Sequence, residues 1–149
     1  MESMSSELLR DALKGEAVLV DEGATQALGA ELAAVLPVDA TVLLEGPLGA
    51  GKTCLVRGLL RAMGFEGSVK SPTFVLMVEY DLGVRVVHAD FYRLATAAGT
   101  EIEEELGEAL CLIEWPDRLE ALVDPERCWR VSLTIVGDHR TARVRPPVG

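Results

Sequence analysis

Gly46-Pro47-Leu48-Gly49-Ala50-Gly51-Lys52-Thr53 is the stretch on which the fold turns. It matches G-x-x-x-x-G-K-S/T, the phosphate-binding loop pattern. Glycines at 46, 49 and 51 let the backbone take turns that a side chain would obstruct, so several N–H groups can converge on one anion. The flanks supply the context that the motif needs. Upstream, residues 40–45 are a continuous β-prone run suited to a strand buried on both faces. Downstream, Leu55, Leu59, Leu60 and Met63 keep helical spacing as far as Gly64, a fitting C-cap. That helix, starting near Lys52, adds its unpaired first-turn donors and the positive end of its dipole. Lys52 can reach β- and γ-phosphates as a point charge, and the Thr53 hydroxyl can hold a magnesium ion that bridges them. Guanine-specific members of the phosphate-loop superfamily carry Asn-Lys-x-Asp; this chain has no Asn, which favours ATP over GTP.

Working outward from the loop, residues 17–20 form a brief apolar strand that passes through Asp21, Glu22 and Gly23 into a helical segment. There Leu28, Leu32, Val35 and Leu36 share one face until Pro37 stops them. A short helix before it has Ser5 or Ser6 as cap and Leu8, Leu9 and Leu13 on one side. Beyond the loop, residues 73–80 and 84–90 are β-branched or aromatic, and Asp81-Leu82-Gly83 between them signals a hairpin. Residues 95–108 carry Glu101, Glu103, Glu104, Glu105 and Glu108, read as the solvated face of an exposed helix or loop. Another buried-type strand spans 109–113, followed by Glu114-Trp115-Pro116 and a helical stretch to Val123. Two strands, 128–136 and 140–144, close the chain around Gly137-Asp138. Alternating helices and strands with antiparallel pieces predict an α/β fold, a phosphate-loop NTPase-like three-layer domain with a mixed, partly antiparallel sheet, spanning 1–149 as one domain.

Composition sets the bounds. At 149 residues the chain has room for one domain and no second catalytic one. It is 49% hydrophobic and 26% charged, an ordinary globular balance that excludes wholesale disorder. Fourteen Lys and Arg against 24 Asp and Glu give a net charge of −10, so the chain should not grip a nucleic-acid backbone unaided. No apolar run approaches a membrane span and the start lacks a signal-type core, so a cytoplasmic location with no membrane partner is expected. Cys54, Cys111 and Cys128 are odd in number and lack ligand spacing; they read as reduced, buried thiols. The absence of Asn and the single Gln26 fit a hot-growing source, as well as a biased genome.

Hydrolysis requires more than a cradle: a carboxylate for the metal shell, a group to orient water, and an element that senses the γ-phosphate. Glu114 follows an apolar strand at the carboxyl end where such sheets bind ligands, and is the natural metal-side carboxylate. Asp90 ends another strand in the same way, within His88-Ala89-Asp90-Phe91-Tyr92-Arg93, and can orient water. His88, Tyr92 and Arg93 serve equally well as its structural partners, and for His88 and Tyr92 structure stands ahead of chemistry. Lys70-Ser71-Pro72-Thr73 offers a stiffened loop with a hydroxyl, able to close on a γ-phosphate and release it.

Gly46-Pro-Leu-Gly-Ala-Gly-Lys-Thr53, Lys70-Ser-Pro-Thr-Phe74, His88-x-Asp-x-Tyr-Arg93 and Leu112-Ile-Glu-Trp115, in this order and spacing, resemble the bacterial TsaE family from about Thr25 to Arg143. That family is the small ATPase of tRNA threonylcarbamoyladenosine synthesis. The resemblance implies ATP and magnesium as cofactors, slow hydrolysis, and the partners TsaB and TsaD, which transfer the threonylcarbamoyl group to adenosine 37 of tRNAs reading ANN codons. It implies that Lys52 and Thr53 serve phosphate and metal and that Gly46, Gly49, Ala50, Gly51 and Cys54 belong to the nucleotide loop. It likewise implies Thr73 in a switch-like loop, Asp90 as catalytic carboxylate, Glu114 as metal-side ligand beside Trp115, and Thr25 and Arg140 touching nucleotide. Two departures stand out. The segment between Arg93 and Leu110 is shorter than usual and rich in Glu, and Cys54 replaces a second Thr after the loop. A phosphate-loop small-molecule kinase, for which Arg93 and Arg118 are the available acceptor-site cations, and a nucleotide-dependent assembly factor are the competing readings.

Overall fold

Asp21 and Pro37 set the ends of the first long helix. The Asp21 carboxylate accepts the Ala24 N–H at 2.9 Å as an N-cap, and Leu36, held extended before Pro37, ends the helix. In the computed structural model, which describes residues 7–47, 49–69, 77–90, 101–114 and 123–148, the elements follow in order. They are α1 (Glu7–Lys14), β1 (Ala17–Leu19), α2 (Glu22–Val35), β2 (Thr41–Glu45), α3 (Lys52–Ala62), β3 (Met77–Asp81), β4 (Arg85–Asp90), α4 (Glu101–Glu105), β5 (Leu110–Glu114), β6 (Trp129–Val136) and β7 (His139–Arg145). The fold is α/β, and among the described residues its strands pair in a mixed, partly antiparallel way. The chain divides into two compact units: Met1–Leu36, Gly46–Lys70 and Val131–Arg145 make the first, and Pro37–Glu45, Ser71–Arg130 and Pro146–Gly149 the second. No helix among the described residues is long and apolar enough to cross a membrane.

In the first unit the strand order is β1-β7-β6. Ala17 of β1 lies opposite Ala142 of β7, and Leu19 opposite Arg140, in an antiparallel ladder. Helices α2 and α3 meet at backbone distance. A Cβ at Gly29 would stand 2.2 Å from the Leu55 carbonyl oxygen, and one at Gly58 would stand 2.1 Å from that of Gln26. Leu28 and Leu32 of α2 and Leu55, Leu59 and Leu60 of α3 are buried, as their spacing predicts, but Val35 is exposed in the last turn of α2. In α1, Leu9 and Ala12 face inward while Leu13 is exposed. The Leu9 N–H, an open donor of the helix's first turn, is accepted by the buried Glu31 carboxylate of α2 at 2.8 Å. Burial pushes the Glu31 pKa up, with the charges of Glu7 and Asp11 adding to it and the Leu9 hydrogen bond opposing.

In the second unit the strand order is β2-β5-β4-β3, parallel across β2, β5 and β4 and antiparallel between β4 and β3. The predicted hairpin is present, with its turn one residue later than expected: Asp81 stays in β3 opposite Arg85. Gly83, at φ 83°, takes the left-handed position, and the Asp81 carboxylate accepts its N–H at 3.4 Å. Period-two alternation sorts the parallel strands into two faces. Leu43, Val87, Ala89, Cys111 and Ile113 pack with Ile102, Ala109 and Cys128 as one apolar cluster. The other face carries Val42, Leu112 and His88 in one row and Leu44, Glu114 and Asp90 in the next.

The Glu-rich segment departs from a purely solvated face. Ile102 anchors α4 in the apolar cluster, and the Arg85 guanidinium pairs with Glu105 at 2.5 Å. Among the buried thiols, Cys111 donates to the Glu105 carbonyl at 3.4 Å and is pushed up to about 12, chiefly by burial. All three cysteines are free; Cys111 and Cys128 are buried, and Cys54 is half-buried.

Candidate functional site

A lysine in the first turn of a helix sits at the wrong end of the dipole. Lys52 nevertheless opens α3, is only 6% exposed, and donates from Nζ to the Gly46 carbonyl at 2.6 Å. The N-cap is Gly51, with φ 106° and no side-chain cap, so the first-turn N–H groups of α3 have no side-chain acceptor there, unlike those of α2 behind Asp21. Gly49 likewise has a positive φ of 85°. Gly46 is needed for space as well: a Cβ there would stand 2.7 Å from the Leu133 carbonyl oxygen. A buried ammonium, an uncapped helix start and left-handed glycines converge on one spot. This is the donor set a phosphate oxygen requires, and the residues fit a nucleoside phosphate.

Beside the loop lies a cavity of about 190 Å³. Three segments of the first unit line it: Leu19 to Glu22 with Thr25, then Gly49 to Gly51 with Cys54, then Asp138 to Arg140 of the β6–β7 turn. Thr25 is buried, and its methyl lies 3.5 Å from where a Cβ at Gly51 would be, which places the threonine directly against the loop. The Arg140 guanidinium donates twice to the Gly49 carbonyl, from Nε at 3.4 Å and Nη2 at 3.2 Å, and from Nη1 to His139 O at 3.2 Å. Cys54 donates to Glu22 O at 3.5 Å; burial first, then the Glu22 charge, pushes its thiol pKa up. Thr25, Gly49, Ala50, Gly51, Cys54 and Arg140, expected around one ligand, all line this cavity, with Lys52 and the half-buried Thr53 in the adjoining helix turn.

Asp90 and Glu114, expected at strand ends, close β4 and β5 as register partners on adjacent parallel strands, and both are buried. His88 Nε2 lies 2.7 Å from Glu114 Oε2, with the ring fully buried. Among the described residues no group of three or more His, Cys, Asp and Glu is placed to hold a metal ion by itself. A buried carboxylate at the carboxyl end of a parallel strand suits a magnesium shell completed by phosphate and water. Thr73, Tyr92, Arg93, Arg118 and Trp115 lie outside the described residues. Sequence reasoning missed Asp138 and His139 as cavity walls, since Asp138 carried only a turn signal and His139 none. It also missed the His88 contact with Glu114, although His88 and Asp90 at i and i+2 necessarily share a face.

A strand, a glycine loop and a helix N-terminus in an α/β sheet define a phosphate-loop protein. The family model for threonylcarbamoyl adenosine biosynthesis protein TsaE matches residues 19–144. The chain belongs to the TsaE family. It is 41% identical over 118 residues to the tRNA threonylcarbamoyladenosine biosynthesis protein TsaE of Synechocystis, a match covering 72% of this chain and 73% of the relative. It is 34% identical to the Bacillus subtilis protein of the same description over 119 residues, 78% and 75% of the two chains. The crystal structure of Bacillus subtilis YdiB superposes with a TM-score of 0.71 and 29% identity over 85% of this chain and 81% of that one.

Proposed function

We propose that this protein is a magnesium-dependent ATPase subunit that acts with TsaB and TsaD in threonylcarbamoyl modification of adenosine 37 in tRNAs reading ANN codons. The observation that carries the nucleotide half of this reading is Lys52, a buried ammonium in the first turn of an uncapped helix that follows left-handed Gly49 and Gly51. Lys52 and the loop N–H groups bind the β- and γ-phosphates, Thr53 supplies a hydroxyl ligand to magnesium, and Arg140 holds the loop open at Gly49. Thr25, Ala50 and Cys54 line the remainder of the nucleotide cavity. Glu114 is the metal-side carboxylate and Asp90 orients the attacking water; Thr73 keeps its assignment in the γ-phosphate-sensing loop through its place in the family motif. Bound magnesium would neutralise phosphate charge during γ-phosphoryl transfer. The family match and the names of the relatives support the tRNA half. With a net charge of −10, tRNA is reached through the partners, and the work is done in the cytoplasm.

The test is ATP turnover by the protein with TsaB and TsaD, read as free phosphate, together with co-purification of the three proteins with and without ATP. Stimulated, magnesium-dependent release of free phosphate is the expected result, with Lys52→Ala unable to support tRNA modification. Full modification by Lys52→Ala would sink the reading. A phosphorylated metabolite in place of free phosphate would make the protein a kinase, and ATP bound without turnover would make it an assembly factor.

A further inference from the structure

The second unit holds a buried polar pair that the phosphate loop does not explain. His88 is fully buried, its Nε2 is 2.7 Å from Glu114 Oε2, and its Nδ1 has no hydrogen-bond partner among the described residues. With a single ring hydrogen there is a choice of tautomer. Placing the hydrogen on Nδ1 would bury an unpaired N–H and turn the Nε2 lone pair towards a carboxylate oxygen, so both ends of the ring would lose. Placing it on Nε2 gives a short N–H···O bond and leaves Nδ1 as an unused acceptor, the cheaper defect. Backbone register supports the contact: His88 lies one row before Asp90 on β4, Asp90 is opposite Glu114 on β5, and all three side chains are on the face opposite the apolar cluster.

We infer that His88 is the positioning residue for Glu114: its ring, donating from Nε2, fixes one carboxylate oxygen and so aims the other at its ligand. The inference rests on the proposed metal-side role of Glu114. A carboxylate ligand is itself hydrogen-bonded when its orientation matters, and loss of such an outer partner commonly costs about 10- to 100-fold in metal affinity. Leucine at 88 fills similar space and offers no donor. Glutamine keeps an N–H near the position of Nε2.

Three measurements test this. Long-range ¹H–¹⁵N correlation spectra of the wild-type protein should show a protonated Nε2 for His88; a bare Nε2 overturns the inference, with no variant required. Magnesium titrations of fluorescent ATP-analogue binding should need about tenfold more magnesium in His88→Leu, with His88→Gln close to wild type. Equal requirements in His88→Leu and wild type overturn the positioning role when Glu114→Gln is impaired. If Glu114→Gln is itself unimpaired, the metal-side role of Glu114 falls, and the positioning role falls with it. Melting temperatures of the variants identify any that lose their fold, in which case the wild-type spectrum decides.

Discussion

The two units gather their polar groups by different means. In the first, the chemistry is nearly all backbone: left-handed Gly49 and Gly51, an uncapped helix start, and a carbonyl held by Arg140, with Lys52 as the one buried cation among the described residues. In the second it is all side chain: His88, Asp90 and Glu114 are buried on one face of a parallel sheet whose other face is apolar. Backbone recognition leaves a mark in the sequence because only glycine takes those conformations, at fixed spacing. A carboxylate at a strand end leaves a weaker one, because the same residue in the same place is usually solvated, and Glu114 and Asp90 stand out only beside the glycine loop.

The largest effect expected of this division is on turnover. Lys52→Ala and Glu114→Ala should each lower ATP turnover by about 10²- to 10³-fold. They should part on binding: Lys52→Ala loses affinity for ATP itself, and Glu114→Ala keeps metal-free binding. Equal binding by both in equilibrium titrations breaks the comparison. Next comes packing. Gly58→Ala puts a Cβ 2.1 Å from a backbone oxygen, which cannot move as a side chain end can. It should cost about 3 kcal/mol and lower the melting temperature by about 10 °C. An unchanged melting curve would show that α2 and α3 can separate without loss.

A smaller effect belongs to α1. Glu31→Ala leaves the Leu9 N–H without its acceptor and should cost about 1 kcal/mol. Glu31→Gln keeps an acceptor and has the opposite sign near neutrality. The native carboxyl binds its proton more readily than the unfolded one, because burial raises its pKa. Its contribution is therefore full below the unfolded value of 4.5 and is lost as pH rises through the native value. Melting against pH should show Glu31→Gln above wild type at pH 7 and level with it in acid. The smallest effect is chemical: alkylation at pH 8 should label Cys54, at the cavity, and spare Cys111, whose thiol is pushed up to about 12; magnesium and ATP should slow labelling of Cys54.

The strand, loop and helix around Gly46 to Thr53 were legible because each element had its own signal and the signals agreed. Helix α2 was legible to within a turn; the exposure of Val35 was not, since a periodic apolar residue in a last turn looks the same whether or not anything covers it. The acidic run misled in part. Charge composition speaks for water, but Ile102 and the contact of Arg85 with Glu105 decide where α4 lies, and both depend on tertiary partners. Among the site residues, Thr25 and Arg140 were named through family likeness alone. Nothing local marks a threonine in a first helical turn, or an arginine after a hairpin turn, as neighbours of the same loop.

The clamp of Arg140 on Gly49 joins positions 91 residues apart, and β1 finds its ladder partner in residues 140–142. During synthesis, therefore, the motif written at residues 46–53 emerges long before its geometry can be completed. A nascent chain stopped before residue 139 has the glycines and the lysine but lacks both the clamp and the strand beside β1. The clamp and the ladder arrive late, with β7, and a chain truncated before it would carry the motif without either.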